Sequence, residues 1–293
     1  MTREELHAQL KKIGLRPARV RGQNFLIDDG VLRDIVEAAE LTRDDRVLEI
    51  GPGLGILTKE LVKRCGCVAA VEIDSQLVGH LVAAVSEPNF HLVEGDVRSF
   101  TVAELARLCG GSFTKLVANI PYHITSEVLE KFLEDPLAPP LLVLLVQQEV
   151  ARRITARPPN LSRLGVFIQY LGKPEIARMV GRQSFFPPPR VTSAVVRLRK
   201  NPADALARRE RRVSRSDFFR LVRSGFSAPR RKLLGNLSRG LGYSKEMMSQ
   251  ALVKAGLSLD LRAEALSLDD WIRLSQMIFE TGFGKKNSGI SGV

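Results

Sequence analysis

The chain has 293 residues, 44% hydrophobic and 26% charged, a globular balance that excludes a wholly disordered protein and allows one large core with a smaller second domain. A net charge of +12 and a pI near 10.0 favour a polyanionic partner, and the longest apolar run, 141–146, is too short to span a bilayer, which puts nucleic acid ahead of membrane. The N-terminus carries no signal-like apolar segment, and Cys65, Cys67 and Cys109 offer neither a disulfide framework nor a metal cluster, so structural thiols in a reducing cytoplasm are expected.

Residues 1–21 hold Arg3, Lys11, Lys12, Arg16, Arg19 and Arg21 with little apolar periodicity and read as a helix-prone basic arm. Gly22-Gln23-Asn24-Phe25-Leu26-Ile27-Asp28 then forms a loop entering a helix over 29–40, capped by Asp28 or Asp29. Arg46-Val47-Leu48-Glu49-Ile50 is a buried strand. Gly51-Pro52-Gly53-Leu54-Gly55 turns it into a helix over 56–64, bringing backbone N–H groups and a helix N-terminus to a ligand. The third glycine and Ile56 break the dinucleotide fingerprint, which disfavours a nicotinamide dehydrogenase and suits a smaller nucleoside. Val68-Ala69-Ala70-Val71 is the next strand, and Glu72 at its tip stands 21 residues after Gly51, where an acid can hold both hydroxyls of a ribose. A third strand at 91–93 leads to Glu94-Gly95-Asp96, whose last carboxylate suits the amino group of an adenine ring.

Leu116-Val117-Ala118 supplies a fourth strand, closed by Asn119-Ile120-Pro121-Tyr122. Ligands of open parallel sheets bind beyond the carboxyl ends of the strands. The Asn119 amide oxygen and the Ile120 or Pro121 carbonyl can therefore accept from an exocyclic amine, while the Tyr122 ring offers a stacking face. Strands at 141–147 and 166–171, separated by a helix with Glu149, Arg152 and Arg153, extend a doubly wound α/β sheet. Ser184-Phe185-Phe186-Pro187-Pro188-Pro189-Arg190-Val191 is a stiff loop before a strand at 193–198, and Phe185 can wall the base pocket from a second side. From 201 to 234, ten Lys and Arg stand against Asp204, Glu210 and Asp217, which is the composition of a polyanion-binding patch. Phe218, Phe219, Val222 and Phe226 at helical spacing, with Leu252, Leu257, Leu266, Leu268, Trp271 and Ile272, build the core of a small helical domain, and 283–293 reads as a disordered tail.

The ordered set Gly-Gln-Asn-Phe-Leu-Ile-Asp, Glu-Ile-Gly-Pro-Gly-Leu-Gly, Val-Glu-Ile-Asp, Glu-Gly-Asp, Asn-Ile-Pro-Tyr and Phe-Phe-Pro-Pro-Pro-Arg-Val resembles the ribosomal RNA adenine dimethylase family over about residues 20–275. The segment Phe226-Ser227-Ala228-Pro229-Arg230-Arg231-Lys232 is similar to that of members acting on two adjacent adenosines near the 3′ end of small-subunit (16S) rRNA. The resemblance implies a Rossmann-like S-adenosylmethionine-dependent methyltransferase sheet over 1–200 and a small all-helical RNA-binding domain over 201–282. It implies cofactor contacts from Asn24, Leu26, Gly51, Gly53, Glu72, Asp96 and Asn119, and catalysis at adenine N6 by Asn119, Ile120, Pro121, Tyr122 and Phe185. RNA is expected on Arg220, Arg223, Arg230, Arg231 and Lys232, in an assembling small subunit, for a monomer that needs neither metal nor membrane. His123 stands where the family often has Asn, and Ile120 where Leu is more frequent. A large-subunit dimethylase of the antibiotic-resistance kind and a non-enzymatic RNA-binding assembly or transcription factor remain as alternatives on the same fold.

Overall fold

The computed structural model describes residues 3–15 and 24–279; Arg16, Arg19, Arg21, Gly22, Gln23 and the 283–293 tail lie outside these. The chain forms two compact units, one comprising Met1–Arg152 and Gly172–Lys200, the other Arg153–Leu171 and Asn201–Val293.

The first unit begins with helix α1 (Arg3–Lys12), strand β1 (Phe25–Leu26) and helix α2 (Asp29–Ala39). Of the two aspartates that could cap α2, Asp28 does so, accepting from Gly30 N at 2.8 Å and Val31 N at 3.1 Å. Alternating elements follow: β2 (Arg46–Ile50), α3 (Ile56–Arg64), β3 (Cys67–Glu72), α4 (Ser75–Ala84), β4 (Phe90–Glu94), α5 (Val102–Arg107), β5 (Lys115–Asn119), α6 (Thr125–Glu134) and β6 (Leu141–Gln147). Helices α7 (Gln148–Thr155) and α8 (Arg163–Leu171) precede β7 (Gly172–Val180), β8 (Phe185–Phe186) and β9 (Ser193–Lys200). The main sheet has the order β4-β3-β2-β5-β6-β9-β7. Strands β4, β3, β2, β5 and β6 are parallel, and β9 runs antiparallel to both β6 and β7. Continuous apolar runs such as Leu-Leu-Val-Leu-Leu-Val in β6 are what a strand covered on both faces requires. From β2 the chain steps outward to β4 and then returns to β5 on the other side, so the order reverses between β2 and β5 and opens a crevice at their carboxyl ends.

The second unit gathers α8, α9 (Ala203–Glu210), α10 (Arg215–Gly225), α11 (Leu233–Leu241), α12 (Lys245–Lys254) and α13 (Leu268–Phe279). Its core includes Trp271, Phe218, Leu221, Leu237 and Leu252, all essentially without exposure. Among the described residues, no helix is long and apolar enough to cross a membrane.

Four expectations change. Residues 166–171, expected as a strand, lie in α8, because a short apolar run does not distinguish a buried strand from a buried helix. Here the Ser162 hydroxyl accepts from Gly165 N at 3.0 Å and starts a helix whose Tyr170 stacks on Phe218 with centroids 4.3 Å apart. Those contacts place 153–171 with the helical unit rather than inside a domain running unbroken to residue 200. In its place the sheet uses β7, a strand at the sheet edge with Lys173, Pro174, Glu175 and Arg178, whose polar sequence hides it. Cys67 and Cys109, expected as free thiols, are joined by a disulfide with Cα atoms 5.7 Å apart; the fold brings together residues 42 apart in sequence, while Cys65 stays a buried thiol pushed up to about 12 by burial. Over its described part, the basic arm, expected to have little apolar periodicity, is packed on the first unit. Leu6, Leu10 and Leu15 are buried against Phe25, Leu54 and Leu77.

Candidate active site

A cavity of about 480 Å³ opens at the carboxyl ends of β2, β3 and β5, within the size range of small-molecule pockets. Asn24, Leu26, Gly51, Gly53, Glu72, Asp96, Asn119, Ile120, Pro121 and Tyr122 all line it, so residues spread over 99 positions converge on one space.

Its floor is the glycine turn after β2. Gly51, Gly53 and Gly55 have φ of 65°, 59° and 76°, a conformation that disfavours side chains. The turn folds back so that Gly53 N donates to Glu72 Oε2 at 3.1 Å. Glu72 also accepts from Ile73 N at 2.9 Å and Asp74 N at 3.0 Å through Oε1. A carboxylate offers about four acceptor directions, so Oε2 retains one for a ligand. Burial raises the Glu72 carboxyl above its ordinary value, while these three N–H groups oppose the rise.

Glu49, inside β2, is 1% exposed and has an Oε2 with no hydrogen-bond partner. Burial pushes its carboxyl up to about 8; the Thr58 hydroxyl opposes this and the Glu72 carboxylate adds to it. In the cavity wall, a buried acid with a free oxygen suits a cationic ligand, whose charge favours the ionised carboxylate and lets its proton pass to solvent. Reading the strand only as an apolar run passes over Glu49; the signal is a charged residue in an otherwise buried strand, two positions before the glycine turn begins at Gly51. Ile73, between Glu72 and Asp74, carries no chemical signal in the sequence, yet it is 62% exposed and lines the cavity as an apolar surface.

Asp96 meets the cavity with an engaged carboxylate. Arg98 grips it through Nε at 3.0 Å to each oxygen and through Nη2 at 2.6 Å, and its own backbone N–H adds a bond at 2.9 Å. Arg98 chiefly, against a smaller cost of burial, holds this carboxyl below its ordinary value. Arg98 also reaches Glu127 of α6 at 2.9 Å, and Lys131 Nζ, on the same helix, donates to the carbonyls of Val97, Arg98 and Phe100. The Asp96 loop is thereby tied to the helix that follows the Asn119–Tyr122 turn.

At that turn, Asn119 Nδ2 donates to Asn24 O at 3.2 Å, an orientation that leaves Oδ1 as an acceptor. The Pro121 carbonyl already accepts from Ile124 N at 3.1 Å. Of the two carbonyls expected to help, this favours that of Ile120. Tyr122 is half-buried, and its hydroxyl lies 2.6 Å from Ser193 Oγ. Phe185 does not line the cavity. The register Phe25↔Phe186 and Leu26↔Phe185 points Phe185 into the core, where it is 0% exposed, and turns Phe186 to the opposite side, against Phe25 and the His7 ring. The expectation that Phe185 walls a base pocket is therefore corrected on strand periodicity.

The expected RNA contacts lie in the helical unit. Arg220 and Arg223 project from α10, and Arg230, Arg231 and Lys232 occupy the exposed loop before α11. Asn236 holds that loop by donating to Gly225 O at 2.7 Å and Ala228 O at 3.0 Å. Arg220 pairs with Asp217 at 3.5 Å and Lys232 with Asp260 at 2.5 Å.

The sequence profile of the family described as Ribosomal RNA adenine dimethylase matches residues 18–280. Ribosomal RNA small subunit methyltransferase A of Dehalococcoides mccartyi is 42% identical over 258 residues, covering 88% of this chain and 87% of that protein. Among solved structures, the 23S rRNA methyltransferase ErmE is 31% identical with a TM-score of 0.64, covering 87% of this chain and 99% of its own. A dimethyladenosine transferase from Plasmodium falciparum, 24% identical over 88% of this chain and 98% of its own, shares the fold with a TM-score of 0.74. Profile and relative agree, and the chain belongs to the ribosomal RNA adenine dimethylase family.

Proposed function

We propose that the protein transfers methyl groups from S-adenosylmethionine to N6 of two adjacent adenosines near the 3′ end of small-subunit (16S) rRNA, giving N6,N6-dimethyladenosines during ribosome biogenesis. The observation that carries this reading is the convergence of Glu72, Asp96 and the Asn119–Tyr122 turn on one cavity in a chain of this family. Higher identity to a small-subunit methyltransferase (42%) than to a 23S enzyme (31%) supports the small subunit as substrate.

The cavity residues fit the cofactor. Its volume suits a nucleoside with an amino-acid arm, Glu72 keeps an acceptor direction for ribose hydroxyls, and the free Glu49 oxygen suits the cationic end. Ile73 and Asp96 would take the face and edge of the adenine, the latter through the acceptor directions Arg98 leaves or yields. When bound, the cofactor supplies an electrophilic methyl group on a sulfonium.

The N6 lone pair of the target adenine is delocalised into its ring and nucleophilic only when the nitrogen becomes pyramidal. Asn119 Oδ1 and the Ile120 carbonyl would accept its two hydrogens and favour that geometry, which is positioning and electrostatic preorganisation rather than strong-base chemistry. The N6 nitrogen so held would present its lone pair to the methyl group that the bound cofactor supplies, with one N6 proton released to solvent. The target base must leave its stack, and Tyr122 offers the face to receive it. Arg220, Arg223, Arg230 and Arg231 would hold RNA phosphates, with Lys232 contributing less because of Asp260. A monomer working on assembling subunits in the cytoplasm completes the reading.

Labelled-methyl transfer to purified unmethylated small and large subunits tests it. Label on two adjacent adenosines of the small-subunit RNA is expected. Label confined to the large subunit, or none with cofactor bound, overturns the assignment.

A further inference from the structure

The hydroxyl of Tyr122 is not needed for stacking, since a phenyl ring offers the same face. Its partner is informative. Ser193 Oγ, 2.6 Å away, belongs to a residue 0% exposed, so no water can replace it from that side. Ser193 opens β9 and is paired on both flanks, to Gln147 of β6 and to Val180 of β7, which fixes its backbone between two strands. It is also where the 187–189 proline loop ends, and the preceding residue, Thr192, accepts from Gln148 N at 3.0 Å. The other end of the Tyr122 ring is held by a short turn, in which Ile124 N bonds to Pro121 O at 3.1 Å. Fastened at Cβ and at its oxygen, the ring has one orientation toward the cavity it lines.

We propose that Ser193 is a positioning residue that holds the Tyr122 ring in the plane on which the target adenine stacks. The proposal rests on the reading that Tyr122 receives that base. Without the Ser193 hydroxyl, a half-buried phenol keeps a partner only by turning toward solvent, and the turn swings the ring out of register with Asn119. The cofactor wall, built on Gly53, Glu72 and Asp96, shares no hydrogen bond with Ser193 and is unaffected.

The test is a double-mutant cycle in the full-length protein with Ser193→Ala, Tyr122→Phe and the pair together, and with Tyr122→Ala as reference. Single-turnover methyl transfer to unmethylated small subunits should fall about tenfold in each single variant, the order expected for one buried hydrogen bond. The double variant should be no slower than either single one, while S-adenosylmethionine affinity by calorimetry matches the parent. Independent, multiplying losses would make Ser193 a structural residue unrelated to Tyr122 and overturn the proposal. Parent-like transfer by Ser193→Ala, with Tyr122→Ala strongly impaired, would overturn it while leaving the stacking role intact. Parent-like transfer by Tyr122→Ala would instead remove the stacking reading on which it rests. If Ser193→Ala does not fold, Tyr122→Phe decides alone: a parent-like rate refutes the proposal.

Discussion

Glu49→Gln isolates a buried acid whose consequence can be read without any substrate. The parent carboxyl is pushed up to about 8 by burial, with Glu72 adding to the effect, against an ordinary value of 4.5. Between those values the unfolded chain has lost this proton and the folded chain still holds it. Stability therefore falls as pH rises, by about 1.4 kcal/mol per pH unit for this one group. The contribution is fully present below the ordinary value and is lost on passing the raised one. From about pH 5 to about pH 7.5 the loss amounts to roughly 3 kcal/mol, a large part of a typical domain's stability. A glutamine fills nearly the same volume and carries no proton to lose. Urea unfolding of parent and Glu49→Gln, followed by circular dichroism across that pH range, should show the difference between them shifting by about this amount in favour of the variant. Taking the difference removes groups that titrate oppositely, such as Asp28, Asp45 and Asp96, whose values are lowered. A difference that stays constant with pH would mean that Glu49 ionises as an exposed acid does, and the argument for a proton held in the cavity wall would fail.

If Asn119 accepts from the target amine as proposed, Asn119→Ala should lower single-turnover methyl transfer on the order of 100-fold with cofactor affinity retained; near-parent rates in a folded variant would exclude the role. Glu72→Ala removes charge-assisted bonds worth about 1.5 to 3 kcal/mol and loosens the Gly53 turn, so calorimetry should find cofactor binding at least tenfold weaker and subunit binding nearly unchanged. Neutralising Arg230, Arg231 and Lys232 to Gln should weaken subunit binding and flatten its salt dependence by roughly two phosphate contacts rather than three, because Asp260 already pairs Lys232; a parent-like salt slope would make the loop mere surface.

The parallel half of the sheet could be read from the sequence because its strands are continuous apolar runs ending in chemistry-bearing turns. Glu72, Asp96 and Asn119 each follow such a run, and the topology brings all three to one cavity. What could not be read depends on partners distant in the chain. The 166–171 run becomes helical because Ser162 caps it and Phe218 packs on it; β7 is stabilised by β9 despite a polar sequence. The choice between Phe185 and Phe186 turned on register with β1, since one step along a strand reverses the face. Leu6 and Leu10, four apart, did carry a helical stripe, but the basic residues around them masked it.

The site's polar groups are concentrated where the sheet is least able to solvate them. Glu49 and Glu72 are buried on neighbouring strands, Glu72 two positions beyond Ala70, the register partner of Glu49; each is raised above its ordinary value, and Glu49 has an oxygen left unpaired. Such an arrangement costs folding free energy, and the apolar strands around it, with Leu48, Val68, Val117 and Val143 wholly buried, offset it. On the proposed function the benefit would come with a cationic ligand, for which two poorly solvated acids are the favourable surroundings that bulk water would screen. Replacing Glu49, whose Oε2 has no partner, with an apolar residue should therefore stabilise the empty protein and weaken cofactor binding together, whereas Glu72 also holds the N–H groups of Gly53, Ile73 and Asp74 and cannot be removed without orphaning them. If binding survived the Glu49 replacement undiminished, attraction to the cofactor's charge could not be what this acid is kept for.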